Sequence, residues 1–276
     1  MAQITVCPWA RYVAPIGHWM GGNTIYIDVF MAAKELFLLL TFNQNKLLFE
    51  DITFHSFINT IVEYQDSAII TDIIKSNYLL SFEILNLINK SKEFKIFHFD
   101  SFYSKFYNFD RPSSYLLSKK NLVEWSKIYH NKHKEVTTFV LRLEHIIGPK
   151  ENTKKFNGWL ISKLKNNETI ELGPCDHFFD FIHIDDIVKA VVLLMDTEKF
   201  KNTFNHLDVG SGNSYQLKTF VNNLKSKLGS SSKIIFNKID NGDSFKNKSS
   251  VANSRELIDL GWCPKSELNE IIDSIL

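Results

Sequence analysis

Glycine is scarce in this chain, at 11 of 276 residues, below the roughly 7% of an average protein. No glycine occurs between Gly22 and Gly148. Loops that hold a phosphate against their backbone need glycine, because a side chain would block the approach. The sequence therefore excludes a glycine-rich phosphate loop between positions 23 and 147.

Cysteine is also scarce, with three residues far apart and no C-x-x-C pair (Cys7, Cys175 and Cys263). This distribution argues against a disulfide framework and is typical of a reducing compartment. No cluster of histidines, cysteines or carboxylates has the spacing of metal ligands. We therefore predict no metal site.

An excess of charge of either sign is missing, since 32 basic residues face 31 acidic ones. Without a basic stripe, a nucleic-acid or anionic-membrane partner is not expected. The longest apolar stretch, 29–42, contains Lys34 and Glu35, so it is too short and too charged to cross a bilayer. The first residues do not resemble a secretory signal. We expect a cytoplasmic protein.

From about position 69 onward, helical and strand patterns alternate along the sequence. Helices are predicted at 72–89, 113–133, 154–165, 186–195 and 215–228, and strands at 94–99, 136–143 and 204–209. This order predicts a doubly wound, Rossmann-like α/β fold with a mainly parallel sheet and a small C-terminal substrate lobe. Residues 1–147 would form the dinucleotide-binding part, and 148–276 would complete the sheet and form the lobe. Within the atypical segment 1–68, 12–16 could be a strand and 24–40 a strand or a helix.

Tyr115 and Lys119 form a Y-x-x-x-K motif on the predicted helix 113–133. Residues four apart lie on one face of a helix, a single turn from each other. A lysine ammonium next to a phenol favours the phenolate, so that tyrosine can exchange a proton with a substrate hydroxyl near neutral pH. About one such motif is expected by chance in this composition, so the motif needs further support.

Further motifs follow in a fixed order: R-L-E-H-I-I-G-P at 142–149, D-F-I-H-I-D-D at 180–186, V-G-S-G at 209–212 and G-W-C-P-K at 261–265. Together with Y-x-x-x-K they resemble the extended short-chain dehydrogenase/reductase family, the NAD-dependent epimerase/dehydratases of nucleotide sugars. The segments 100–102, 142–145 and 250–253 resemble its subgroup of CDP-abequose and CDP-paratose synthases. The resemblance covers about 69–276 and leaves out the N-terminal quarter.

The resemblance implies an NAD- or NADP-dependent enzyme that reduces the 4-keto group of a CDP- or dTDP-hexose, or epimerises such a sugar, for O-antigen synthesis. Tyr115 would move the hydroxyl proton, and Lys119 would lower the tyrosine pKa and hold the cofactor ribose. His145 and Asn77 would help to place the nucleotide sugar. The oligomeric state stays open, with a homodimer as the candidate.

Four features depart from the family pattern. Gly17, Gly21 and Gly22 form the one candidate cofactor loop, but their spacing differs from G-x-x-G-x-x-G. The segment between the early strands and the helix that carries Asn77 is shortened.

Phe99 stands where the family has its catalytic Ser or Thr, and Ser101 is the nearest hydroxyl, two residues further along. Phe179 replaces an arginine that grips phosphate in the family, so Phe179→Arg would be expected to tighten substrate binding. A second hypothesis is therefore a degenerate member of the family, with impaired cofactor binding, that acts as a scaffold or has no activity.

Overall fold

The computed structural model describes residues 2–6, 24–27, 53–63, 69–107, 113–149, 153, 155–237 and 249–276. The chain divides into two compact units. The first comprises residues 1–142 and 191–207, and the second comprises 143–190 and 208–276.

Eleven strands are present in the described residues: β1 Ala2–Val6, β2 Thr24–Ile27, β3 Thr53–Asn59, β4 Asn89–Ser101, β5 Thr137–Leu143, β6 His145–Ile147, β7 Ile170–Leu172, β8 Phe178–His183, β9 Phe204–Val209, β10 Ser214–Gln216 and β11 Ile234–Phe236. The α-helices are α1 Ile70–Ile74, α2 Leu80–Leu87, α3 Ser114–Lys132, α4 Phe156–Lys165, α5 Ile184–Asp196, α6 Leu217–Lys227, α7 Arg255–Ile258 and α8 Leu268–Asp273. A π-helical turn, Lys75–Leu79, joins α1 to α2, and a 3₁₀ turn, Phe102–Phe106, follows β4.

The central sheet has six strands in the order β2-β1-β3-β4-β5-β9. The pairs β1–β2, β1–β3 and β3–β4 are parallel. The order 2-1-3-4-5 is one of the two common doubly wound arrangements, and its ligand crevice lies beyond the carboxyl ends of the strands where the order reverses. The predicted Rossmann-like α/β fold is therefore confirmed.

The N-terminal quarter contributes β1, β2 and β3 to this sheet. Thr24–Ile27 is a strand, which decides the start of the segment 24–40 in favour of β structure. The rest of that segment, and the candidate strand 12–16, lie outside the described residues.

Aromatic and branched side chains fill the core of the first unit. Phe54, Phe57, Phe94 and Ile96 are fully buried in one cluster with the apolar face of α2. Phe97 and Phe139, on neighbouring strands, stack with ring centres 5.0 Å apart. Strands buried on both faces carry continuous apolar runs, which is why β4 and β5 were predictable from the sequence.

The predicted helix 72–89 differs from the observed structure in two ways. It contains the π-helical turn, and it ends at Leu87 because β4 already begins at Asn89. The first residues of β4 are polar and pair with β3, Thr53 opposite Asn89. Alternation of apolar residues could not reveal this part of the strand, because its side chains face solvent.

The second unit contains two small sheets. In one, β8 lies between β10, which is antiparallel to it, and β6, which is parallel. In the other, β11 pairs with β7 in parallel. Across the described residues, no helix is both long and apolar enough to span a membrane.

Candidate active site

Helix α3 places Tyr115 and Lys119 side by side. The Ser113 hydroxyl caps the helix by accepting a hydrogen bond from the Leu116 N–H, 3.3 Å away, which satisfies one of the free N–H groups of the first turn. The Lys119 Nζ lies 5.9 Å from the centre of the Tyr115 ring. The predicted placement of both residues on one helical face is confirmed; their chemical roles stay predictions.

Lys119 is a buried cation, 5% exposed, whose Nζ donates to the backbone oxygen of Phe99 at 2.8 Å. Burial lowers the pKa of Lys119 to about 8, and the nearby charge of Asp100 opposes that shift. The ammonium is therefore still mainly protonated at neutral pH. In that form it can stabilise a phenolate at Tyr115.

Asn77 lies on the π-helical turn and is completely buried. Its Oδ1 accepts from the Glu63 N–H at 2.6 Å, and its Nδ2 donates to the Glu63 carbonyl at 3.1 Å and to the Ser118 Oγ at 2.7 Å. Ser118 in turn donates to the Tyr115 carbonyl at 2.7 Å. These bonds join the chain after β3 to the helix turn that carries Tyr115. The predicted contact of Asn77 with a substrate stays a prediction; its amide is fully buried and is held by these bonds.

Ser101 begins the 3₁₀ turn after β4. Its hydroxyl accepts from the Tyr103 N–H at 3.3 Å, and its own N–H donates to the Asp100 Oδ1 at 2.8 Å. This arrangement is a turn cap. Phe99 stands where the hydroxyl was expected, and its backbone oxygen accepts a hydrogen bond from the Lys119 Nζ.

His145 belongs to the second unit, where β6 places it in an aromatic cluster. Its ring stacks on Phe179, with centres 5.3 Å apart, and meets the edge of Phe181 at 5.1 Å. Burial lowers the pKa of His145 to about 4, against the effect of a hydrogen bond with the Asn157 side chain. His145 is therefore neutral near pH 7 and could serve a ligand as a hydrogen-bonding group rather than as a cation.

Asp180 joins three of the sequence motifs, a role that the sequence did not reveal. Its buried carboxylate accepts from the Ser211 N–H and Oγ, both at 2.7 Å, from the Gly212 N–H at 3.0 Å and from the Ala252 N–H at 3.1 Å. A Cβ on Gly210 would lie 2.5 Å from the Asp180 Oδ2, so this position requires glycine. The D-F-I-H, G-S-G and S-V-A-N segments therefore meet around one carboxylate.

The candidate cofactor glycines, Gly17, Gly21 and Gly22, lie outside the described residues. Within the part of the chain that is described, no group of three or more His, Cys, Asp or Glu side chains could hold a metal ion.

Comparison with known proteins agrees with the motifs. A model of the NAD dependent epimerase/dehydratase family matches residues 62–210. The chain is 32% identical to the CDP-abequose synthase of Salmonella muenchen over 235 residues, which is 84% of this chain and 79% of that protein. It is 28% identical to the CDP-abequose synthase of Salmonella typhimurium strain LT2, over 84% of this chain and 80% of that protein.

Solved structures share the fold at low identity. RMD from Pseudomonas aeruginosa, complexed with NADPH, has a TM-score of 0.76 at 13% identity, covering 100% of this chain and 98% of that one. UDP-glucose 4-epimerase from Thermotoga maritima, with UDP-glucose, has a TM-score of 0.77 at 14% identity, covering 99% and 98%. The motifs, the fold and the matched relatives agree, and the chain belongs to the NAD-dependent epimerase/dehydratase family.

Proposed function

We propose that this chain is a cytoplasmic, NAD(P)-dependent oxidoreductase that reduces the 4-keto group of a CDP-hexose for O-antigen synthesis. The observation that carries the proposal is the buried ammonium of Lys119 beside the Tyr115 ring. The CDP-abequose synthase relatives favour a CDP-linked sugar over a dTDP-linked one. Epimerisation at C4 would use the same two side chains.

The described residues fit a nicotinamide cofactor. An ammonium has three N–H donors, and within the described residues Lys119 uses one of them, toward Phe99. The others are available to ribose hydroxyls. A bound nicotinamide dinucleotide would supply the hydride, and Tyr115 and Lys119 are the described residues that would hold its ribose.

In the reducing direction, Tyr115 donates its hydroxyl proton to the sugar O4 while C4 gains the hydride. The ketone becomes an alcohol, and the tyrosine is left as a phenolate that solvent reprotonates. The Lys119 ammonium stabilises this phenolate and so lowers the cost of the proton transfer. Asn77 fixes the turn of α3 that carries Tyr115, through Ser118.

The proposal is tested by mixing the purified protein with a CDP-4-keto-deoxyhexose and either NADPH or NADH, and following loss of the reduced nicotinamide absorbance. Turnover with the CDP sugar that exceeds turnover with the dTDP and UDP equivalents is expected. Absence of oxidation with every sugar and both cofactors would contradict the proposal.

The alternative is a degenerate member of the family that works as a scaffold. Two observations favour it. The Ser101 hydroxyl caps a turn, and Phe179 stacks on His145 at the position where the family has a phosphate-binding arginine. We expect weak dinucleotide binding, in the high micromolar range, because the glycine spacing at 17–22 is unusual. Calorimetric titration with NADH and NADPH decides: a sub-micromolar dissociation constant would remove this alternative.

A homodimer is proposed through the outer face of α3. Leu117, Trp125 and Ile128 are exposed apolar residues on this helix, and grouped exposed apolar residues of this kind are typical of interaction sites. Lys120 and Glu124 are also exposed, one turn apart. If two copies of α3 cross antiparallel near their middle, Leu117 of each approaches Trp125 of the other, and Lys120 approaches Glu124. The surface is therefore complementary to itself.

Light scattering coupled to size-exclusion chromatography tests the dimer. The wild-type chain should elute at twice the monomer mass, and Trp125→Lys should elute as a monomer. Exposed Lys132, at the end of the same helix, offers a control, since Lys132→Ala should leave the mass unchanged. A monomeric wild type would contradict the proposal.

A further inference from the structure

Asp100 is a buried carboxylate that none of the proposed chemical steps uses. It is 3% exposed and lies near the end of β4. Its Oδ1 accepts from the Ser101 N–H at 2.8 Å, and its Oδ2 accepts from the Ser104 Oγ at 2.8 Å. A third partner, the His206 Nε2 on β9, lies 3.1 Å from the Oδ2. A carboxylate is buried at a high cost in free energy unless it is hydrogen-bonded or paired, so this network supplies the partners that Asp100 needs and holds its carboxylate in one orientation.

Asp100 directly follows the residue whose backbone holds the Lys119 ammonium. The carbonyl that accepts the hydrogen bond from the Lys119 ammonium belongs to Phe99, the residue directly before Asp100. Burial lowers the pKa of Lys119, and the charge of Asp100 raises it. Among the residues that the structure describes, Asp100 is the carboxylate with this effect on the ammonium.

The other titratable groups around Lys119 do not supply a negative charge at neutral pH. His98, on β4, is buried with its Nδ1 2.7 Å from the Ser126 Oγ, and burial lowers its pKa to about 3, so its ring is neutral. Tyr115, on α3, is the group whose proton is exchanged. His206, on β9, contacts Asp100 through its Nε2 and carries no negative charge in either of its ordinary protonation states.

We propose that Asp100 is the counter-charge that keeps the buried Lys119 ammonium protonated, and that Ser104 and His206 hold its carboxylate in the required orientation. Asp100 would then be a positioning residue, which acts on the chemistry through Lys119 and Tyr115. Only this catalytic consequence rests on the proposed function; the counter-charge role can be tested without it.

The pH dependence of the free energy of unfolding tests the coupling without any need for activity. A buried lysine with a lowered pKa makes the folded state more stable as pH rises from about 8 toward 10.5, because the unfolded chain holds the proton longer. In Asp100→Asn the free energy of unfolding should begin to rise about one pH unit lower, because loss of the opposite charge lowers the pKa of Lys119 further. In a Lys119→Met background, Asp100→Asn should leave the pH dependence in this window unchanged. The exposed Asp176 provides the control, since its charge acts on none of the lysines whose pKa is lowered, and Asp176→Asn should begin its rise in the free energy of unfolding at the wild-type pH.

A second variant keeps the proposal open to refutation if Asp100→Asn does not fold. The double substitution Ser104→Ala and His206→Leu keeps the Asp100 carboxylate but removes two of its hydrogen-bond partners. The rise in the free energy of unfolding should then begin at a lower pH, by a smaller amount than in Asp100→Asn. If the enzyme turns over, the basic limb of its pH profile should move down with Asp100→Asn as well. An unchanged onset of the stability rise in the folded variants would overturn the proposal, whatever the result for turnover.

Discussion

The Lys119 ammonium donates to the backbone oxygen of Phe99 at 2.8 Å, which joins the middle of the sheet to helix α3. Phe99 stands where relatives were expected to present a hydroxyl. Its backbone oxygen, rather than its side chain, contacts Lys119. Under the proposed function, proton exchange with the sugar would therefore depend on Tyr115.

Replacing Tyr115 by phenylalanine removes only its hydroxyl. Because general acid–base catalysis contributes typically 10²–10⁴-fold, turnover should fall by about that factor. Tyr129→Phe is a matched control on the same helix, since the Tyr129 hydroxyl is buried without a hydrogen-bond partner in the described residues. Steady-state kinetics and circular dichroism are the measurements. Retention of more than about a tenth of the turnover in Tyr115→Phe would remove the chemistry from this helix.

Lys119→Met should reduce the gain in stability at alkaline pH, to which Lys90 and Lys95 also contribute because burial lowers the pKa of each. The folded-state pKa of about 8 lies below the ordinary 10.5, so the wild-type free energy of unfolding should rise through this interval. The Lys119 contribution to this rise is about 3 kcal/mol, at 1.36 kcal/mol per pKa unit. The variant should lack this contribution in denaturant unfolding at a series of pH values, and should also bind NADPH less tightly. A parallel rise in variant and wild type would mean that Lys119 is not the titrating group.

Asn77→Ala should destabilise the fold, because it removes the amide that joins Glu63 to Ser118. Leaving buried partners unsatisfied costs about 3 kcal/mol. Asn86→Ala, at an exposed position of α2, should change stability by less than about 0.5 kcal/mol. Chemical denaturation measures both. If Asn77→Ala kept full stability and raised only the KM for the sugar, Asn77 would contact substrate directly.

Phe179→Arg should destabilise the second unit rather than restore a grip on phosphate. Phe179 is 6% exposed and stacks on His145, so an arginine there would bury a charge and leave the stack incomplete. The expected loss is about 3 kcal/mol or more. Phe178→Arg is the control, because the neighbouring side chain is 44% exposed. Thermal unfolding and titration with a CDP-hexose test the pair; tighter CDP-hexose binding by a stable Phe179→Arg protein would show that this side chain can reach the phosphates.

Local patterns determined a large part of this protein. The alternation of helices and strands, the one-turn spacing of Tyr115 and Lys119, and the order of the motifs are all read along the chain. Helical and strand periodicity reports which face of an element is apolar, and this is enough to predict an α/β fold and to indicate its family.

Tertiary packing decided the rest, because burial and long-range contact are not local properties. Nothing near Asp100 in the sequence indicates that His206, 106 residues away, lies against its carboxylate. Likewise, the Lys119 ammonium is buried against β4, where it donates to the backbone oxygen of Phe99, 20 residues earlier in the chain. The sequence alone determined which side chains could carry the chemistry. The packing of α3, β4 and β9 decided which of them are buried and hydrogen-bonded and how their pKa values shift. These properties depend on the distance to water and to groups that are remote in the chain.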